Sequence, residues 1–140
     1  MIAPLFSTRP VRLMEIDSRD ASLILAARSC LILRRARQYP LPRLRGYLFS
    51  QVMAMRFALL MDVVQQIWPE PFGIHRPCCP TASIDEALLS HAVQYASLDA
   101  RPAFDVLLHE MLGNEARDLL YTRARNLSGN IDFPDQGNIR

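Results

Sequence analysis

Residues 42–68, PRLRGYLFSQVMAMRFALLMDVVQQIW, decide the fold of this chain. Pro42 suits the first turn of a helix, because the φ of proline is helical and its missing N–H needs no partner there. Two further prolines directly after the stretch, Pro69 and Pro71, forbid its continuation. The stretch therefore predicts one long helix whose apolar seam lies at the centre of a water-soluble bundle. By spacings of three and four residues, that seam comprises Phe49, Val52, Arg56, Leu60, Val63 and Ile67.

The same stretch is apolar enough to raise the question of a membrane span. Between residues 46 and 68 only Arg56 and Asp62 are charged. Each charge costs about 2.5 to 3.5 kcal/mol near the centre of a bilayer, and three glutamines in the stretch add to that cost. We therefore expect a buried helix and no association with a membrane.

Capping residues and prolines mark helices on both sides of this stretch. Asp17 or Ser18 caps a first helix that extends to about Gln38. A proline-rich loop follows the long helix at residues 69–82. The sequence SIDE at residues 83–86 then forms a capping box, in which a serine and a glutamate satisfy each other's backbone amides. A third helix begins there.

The remaining sequence predicts two shorter helices and an irregular end. One helix begins near Asp99 and closes at Gly113, which adopts the left-handed conformation readily, and the next occupies residues 114–127. No segment alternates apolar and polar residues with a period of two. The predicted fold is therefore all-α, a compact bundle of about five helices with the proline-rich loop between helices 2 and 3. We expect an irregular segment at 1–17, a single bundle domain at 18–127 and a flexible tail at 128–140.

The stretch HRPCCP at residues 75–80 carries the most reactive side chains. Cys78, Cys79 and His75 offer the sulfur and nitrogen ligands that Zn²⁺ or Cu(I) accepts. Zinc sites usually separate paired cysteines by two to four residues, so adjacent cysteines reach one metal ion only with strain. Two other interpretations stay open: a redox-sensitive thiol beside Arg76, and small side chains that pack a stiff loop onto the bundle. No cofactor is predicted, with zinc as the alternative.

Arginines supply the candidate anion-binding sites. Arg56 lies in the predicted apolar seam, where it must pair with a carboxylate such as Glu110 or Asp105 or bind an anion. Five more arginines fall within twelve residues free of acids, a pattern that makes nucleic-acid binding an alternative function. Some of these cations also suit the negative end of the first helix. The five are Arg34, Arg35, Arg37, Arg43 and Arg45.

No motif in the chain predicts a reaction. The sequence HEMLG at residues 109–113 lacks the second histidine of a zinc-protease helix, and there is neither a phosphate-binding loop nor a serine nucleophile elbow. Asp105 and His109 are spaced so that a carboxylate can orient an imidazole, and His91 falls on an apolar stripe. With no catalytic residue identified, we expect a protein that is not an enzyme.

Composition favours association with another protein. The mean hydropathy of +0.04 is high for a soluble domain, so apolar surface remains for a partner to cover. Residues 1–56 contain ten arginines and three acids, whereas residues 57–140 contain six arginines and eleven acids. The basic half and the acidic half either pair within the molecule or orient a head-to-tail contact with another molecule. Three cysteines without a disulfide spacing favour the cytoplasm. We expect a cytoplasmic interaction or regulatory module, with a protein partner or as a homo-oligomer.

The segment PCCPTASIDEALL at residues 77–89 resembles part of a family of small, uncharacterised bacterial proteins. That family is all-helical and is classed as a domain of unknown function. Its arginine-rich helices precede a PCC stretch in mid-chain, which is followed by a helix that starts DEALL. Here those motifs are Pro77–Cys79 and Asp85–Leu89. The resemblance favours a role for the cysteine pair but implies no catalytic or binding residue.

Overall fold

The computed structural model describes residues 11–129. This part of the chain contains six α-helices, one short 3-10 helix at Leu13–Glu15 and no β-strand. The all-α prediction is confirmed. In chain order the helices are α1 (Ser18–Arg35), α2 (Leu41–Leu48), α3 (Gln51–Ile67), α4 (Ile84–Ser97), α5 (Arg101–Leu108) and α6 (Asn114–Gly129).

The stretch at residues 42–68 forms two helices, so the prediction of one long helix is wrong. α2 ends at Leu48, and the next residue, Phe49, has a left-handed φ of 63°. α3 begins after Ser50, whose hydroxyl accepts a hydrogen bond from the N–H of Met53 (3.2 Å). Serine is a strong N-cap, and here it favours a new helix start over continuation of α2. The two helices meet at a bend of 115°.

The bend bears on the question of a membrane span. Within residues 11–129, no single helix is long and apolar enough to cross a membrane. The α2–α3 pair has the length and composition of a membrane span only when its two helices are taken together.

The buried face of α3 shares only Leu60 and Val63 with the predicted seam. Phe49 and Val52 are 88% and 49% exposed, and Arg56 is half-buried. Both faces of α3 carry apolar residues, so spacing alone does not identify the inner one. The face that carries Phe57 and Met61 lies in the core, because these large side chains bury more apolar area than the side chains of the opposite face would. The buried residues of α3 are Ala54, Phe57, Leu60, Met61, Val63 and Val64.

α6 packs against both α3 and α4, and α1 packs against α2 and α4. The core where they meet is almost entirely aliphatic and aromatic. Within it, the rings of Phe104 and Tyr121 meet edge to face with centroids 5.0 Å apart, which attaches α5 to α6. Each large apolar side chain buried in this way stabilises the fold by about 1.5 to 3 kcal/mol. The shared core fixes α3 and α6 side by side.

Residues 68–83 connect α3 to α4 without a helix. The segment before α1 lies along this connection: the N–H of Leu13 donates to the carbonyl of Pro80 (2.8 Å), and the N–H of Ala82 donates to that of Val11 (2.7 Å). Together they form one antiparallel bridge. At the other end, α6 extends two residues into the predicted tail, and residues 130–140 lie outside the described residues.

Candidate functional site

A buried arginine–glutamate pair organises the loop that carries the adjacent cysteines. Arg28 of α1 is 0% exposed and Glu86 of α4 is 1% exposed. Nε of Arg28 donates to Oε2 of Glu86 (2.8 Å), and Nη2 donates to Oε1 (3.0 Å). This is the bidentate geometry in which guanidinium and carboxylate bind each other most strongly.

The other guanidinium N–H groups of Arg28 bind the backbone of the loop. Nη1 donates to the carbonyls of Pro77 (3.3 Å) and Cys79 (3.0 Å), and Nη2 donates to that of Thr81 (2.8 Å). A guanidinium has five N–H donors, and all five have an acceptor inside the protein. These bonds offset the desolvation cost of burying the charge and attach the loop to α1.

Both carboxylate oxygens of Glu86 accept further hydrogen bonds besides those from Arg28. Its Oε1 also accepts from the N–H of Ser83 (2.9 Å), and its Oε2 also accepts from the N–H of His75 (3.0 Å). The hydroxyl of Ser83 accepts from the N–H of Glu86 (3.0 Å), so the predicted capping box is confirmed. One carboxylate therefore caps α4, neutralises Arg28 and fixes the start of the HRPCCP stretch.

The sequence analysis identified Arg56 as the charged residue within an apolar helix face. It did not identify Arg28. A signal was present, because Arg28 is the only charged residue in LILAARSCLIL at residues 23–33. It shares a helical face with Ile24 and Leu31, which are both buried. Its partner lies 58 residues further along the chain, and the capping box alone already explained that glutamate.

The loop brings together two of the three predicted metal ligands. Sγ of Cys79 lies 3.5 Å from Nδ1 of His75 and 3.4 Å from Oγ1 of Thr81. Cys78 is exposed and carries a free thiol. Among residues 11–129, no three His, Cys, Asp or Glu side chains are arranged to hold a metal ion. Zinc binding stays a prediction, toward which the described loop contributes one sulfur and one nitrogen.

Two of the thiols have opposite electrostatic environments. Hydrogen bonds from the side chain and backbone of Thr81 lower the pKa of Cys79, and the nearby charges of His75 and Arg28 act in the same direction. Burial raises the pKa of Cys30 to about 11. Because the thiolate is the nucleophile, Cys79 is the more reactive of these two cysteines.

The structure divides the predicted cluster of five arginines. Arg34 donates to the carbonyl of Ala58 (3.1 Å) and pairs with Asp62 (Nη2 to Oδ1, 2.9 Å), so it ties α1 to α3. The other four lie at the end of α1, in the following turn or on α2, and their exposure keeps nucleic-acid binding open as a prediction. These exposed residues are Arg35, Arg37, Arg43 and Arg45.

Arg56 lies in a groove between α3 and α6. Its Nη1 donates to the backbone carbonyl of Asn126 (2.9 Å). The groove has a volume of about 450 Å³ and is lined by Arg56, Leu59, Arg123, Arg125 and Asn126. We name it the arginine groove. Three guanidinium groups on one small surface make it a candidate site for carboxylates or other anions.

Asp105 has neither of the roles predicted for it. It accepts from Nε of Arg101 (3.1 Å) and from Nε of Arg117 (2.9 Å), and so ties α5 to α6 rather than pairing with Arg56 or orienting His109. Nδ1 of His109 lies 3.2 Å from the carbonyl of Val106. Nδ1 of His91 likewise lies 2.9 Å from a carbonyl of its own helix. Asp105, His109 and His91 therefore all have hydrogen-bond partners within the protein.

The solvent face of α3 beside the arginine groove is apolar. Val52, Met55 and Leu59 follow one another at spacings of three and four residues, and each is 44% to 49% exposed. We name these three residues the α3 stripe. Phe49, two residues before α3, is 88% exposed. Leu59 belongs to both the stripe and the arginine groove, so the two surfaces are continuous.

Comparison with protein-family models, with curated proteins and with solved structures found no match to this chain. The resemblance of the PCC segment to a bacterial helical family therefore stays a prediction.

Proposed function

We propose that this chain is a protein-association module that binds an acidic amphipathic helix of another protein. The observation that carries the proposal is the continuity of the α3 stripe with the arginine groove through Leu59. A helix lying along α3 would cover the stripe with its own apolar face and present carboxylates to the groove. Affinity would come from the apolar contact, and orientation from the charges.

The chemistry of the groove favours carboxylates as the charged groups of the partner. Arg56, Arg123 and Arg125 line one cavity, and guanidinium groups bind carboxylates in bidentate geometry. α3 has 17 residues and is therefore about 25 Å long, enough to support several turns of a partner helix. The proposed partner is a helix with an apolar stripe and acidic residues along one flank.

Charge disfavours a second copy of the chain as the partner. In an antiparallel twofold pairing of two α3 helices, the axis lies within the interface, so corresponding flanks fall on the same side. The two arginine grooves would then adjoin, and like charges oppose such a contact. An antiparallel homodimer built on α3 is therefore the less favoured form of association.

The proposal includes a cytoplasmic location and no catalytic activity. Support for the location comes from Cys30, Cys78 and Cys79, which are all free thiols. The arginines of α1 and α2 that remain exposed support nucleic-acid binding as the competing function.

Two designed helices of about 20 residues test the proposal. Both carry the same leucine face, which is flanked by glutamates in one peptide and by lysines in the other. By fluorescence anisotropy we expect the glutamate helix to bind at least about tenfold more tightly. We expect Arg123→Glu to remove that preference and Leu59→Asp to abolish binding of both peptides. Val106→Asp is the matched control, because Val106 is an apolar residue on α5 that is at least as exposed as Leu59, and this variant should bind like the unmodified chain.

Three results would contradict the proposal. Equal affinity for the two peptides would remove the role of the arginine groove. A dimer seen by light scattering across a dilution series, and lost in Leu59→Asp, would assign the stripe to a second copy. Tighter binding of a DNA or RNA duplex than of the glutamate helix would assign the basic surface to nucleic acid.

A further inference from the structure

A second cavity lies where the starts of α1 and α3 meet the ends of α2, α4 and α6. Its volume is about 370 Å³, and small-molecule sites have volumes of about 300 to 1,000 Å³. Each of the five helices contributes an apolar side chain to the lining, so the apolar body of a ligand would have contacts on several sides. These side chains are Leu23, Leu48, Met53, Val93 and Leu127. We name this site the α1 cavity.

Carboxylates outnumber cations in the lining of the α1 cavity, which contains Asp17, Asp20 and Arg19. Asp17 already accepts a hydrogen bond from the N–H of Arg19 (3.4 Å) as the N-cap of α1. Asp20 is half-buried, and its carboxylate has no hydrogen-bond donor or ion-pair partner within residues 11–129. Burial and the negative charge of Asp17 raise the pKa of Asp20, and the opposite effects of His91 and Arg19 do not offset them. A cationic ligand would stabilise this carboxylate.

The rest of the lining indicates what kind of cation fits. Tyr47 and Phe49 also line the cavity, and the faces of aromatic rings attract organic ammonium groups. An inorganic cation would leave the apolar side chains uncovered, whereas an anion would be repelled by the two carboxylates. The lining as a whole therefore suits an ammonium group attached to an apolar body.

We propose that the α1 cavity binds a small apolar amine in its ammonium form. The ammonium group pairs with the carboxylate of Asp20, and the apolar body of the ligand covers Leu23, Val93 and Leu127. The described lining includes Phe49 at the bend but no residue of the α3 stripe. This site therefore does not depend on the association function.

Three probes of similar shape and different charge test the proposal: tryptamine, tryptophol and indole-3-propionate. They are titrated into the full chain at about pH 7.5, where an aliphatic amine is charged, and binding is followed by the chemical shifts of the backbone amides. We expect tryptamine to bind at least about fivefold more tightly than the neutral tryptophol, and indole-3-propionate to bind most weakly. The shifted amides should cluster around the cavity. Equal affinity for tryptamine and tryptophol, a preference for the anion, or shifts that cluster elsewhere would overturn the proposal.

Asp20→Asn separates the charge of the site from its shape. Because burial disfavours the charged form of Asp20, this variant should keep the fold. We expect its affinity for tryptamine to fall to within about twofold of its affinity for tryptophol, which should itself be unchanged. Glu70→Gln is the matched control, since it removes an exposed acid outside the cavity and should keep the preference for tryptamine. A preference that survives in Asp20→Asn would overturn the assignment of this carboxylate.

A second variant tests the cavity itself. Val93→Phe adds a ring to a half-buried position of the lining and takes up part of the volume. We expect tryptamine and tryptophol both to bind at least about fivefold more weakly to this variant, with the helical circular dichroism retained. Unchanged affinity for both probes would place their binding elsewhere and would overturn the proposal.

Discussion

Arg28 and the arginine groove are both built from arginine side chains, and the two sites differ in the groups that these guanidiniums bind. At Arg28 all five N–H donors have acceptors inside the protein, and Glu86 balances the charge. In the groove, Arg56 reaches the backbone of α6, and Arg125 pairs with Asp99, yet three cations still line one cavity. The difference shows that a saturated arginine holds a fold together, whereas arginines gathered around a cavity favour an anionic partner.

The largest expected effect comes from removing the partner of Arg28. Glu86→Ala leaves a buried guanidinium without its carboxylate, so we expect the free energy of unfolding to fall by about 3 to 5 kcal/mol. Urea denaturation measures this loss. Asp62→Ala is the matched control: Asp62 also pairs with an arginine, but its side chain is 51% exposed, and the expected loss is at most about 1 kcal/mol. Similar losses in the two variants would contradict the distinction between saturated and exposed pairs.

Replacing both members of the buried pair sharpens the comparison. Changing a buried ion pair to apolar residues is often neutral or stabilising. Here we expect Arg28→Met combined with Glu86→Leu to destabilise the chain by at least about 2 kcal/mol, because the carbonyls of two loop residues and the amides of His75 and Ser83 lose their partners. The carbonyl of Thr81 keeps only its contact with His75. Urea denaturation again measures the change. A neutral result would mean that water takes over these hydrogen bonds.

The sequence predicted features set by local chemistry and failed where distant residues meet. The capping box at Ser83 and the all-α class follow from neighbouring residues, and both are confirmed. The break at Ser50 was missed because an apolar stretch on either side suggested continuation. Arg28 was missed because its partners lie about fifty residues away, at a distance in sequence that no periodicity encodes. The arginine groove likewise joins residues of α3 to residues of α6.

Cys30 shows how burial changes the pKa of a side chain that lacks the several hydrogen-bond partners of Arg28. It lies two residues after Arg28 in α1, and burial raises its pKa to about 11. Because the folded pKa exceeds the unfolded value near 9.0, the contribution of Cys30 to stability is complete below pH 9 and is lost as the pH rises toward 11. We expect a loss of about 2 kcal/mol at pH 11, measured as the free energy of unfolding by urea. Cys30→Ala should reduce this pH dependence, and an unchanged slope would contradict the assignment.

The smallest expected effect concerns Phe49, at the start of the proposed docking surface. A left-handed φ costs an L-residue about 1 to 2 kcal/mol, and glycine avoids that cost. Phe49 has this conformation with its ring 88% exposed, so little burial offsets it. We therefore expect Phe49→Gly to raise the free energy of unfolding by about 0.5 to 1 kcal/mol while weakening binding of the glutamate helix. Phe49→Asn is the control, because asparagine tolerates this conformation and should show a smaller gain. A gain in stability with a loss of binding would mean that this aromatic serves a partner, unlike Arg28, whose N–H groups all bind acceptors within the protein. Destabilisation by glycine would instead give Phe49 a packing role and remove it from the docking surface.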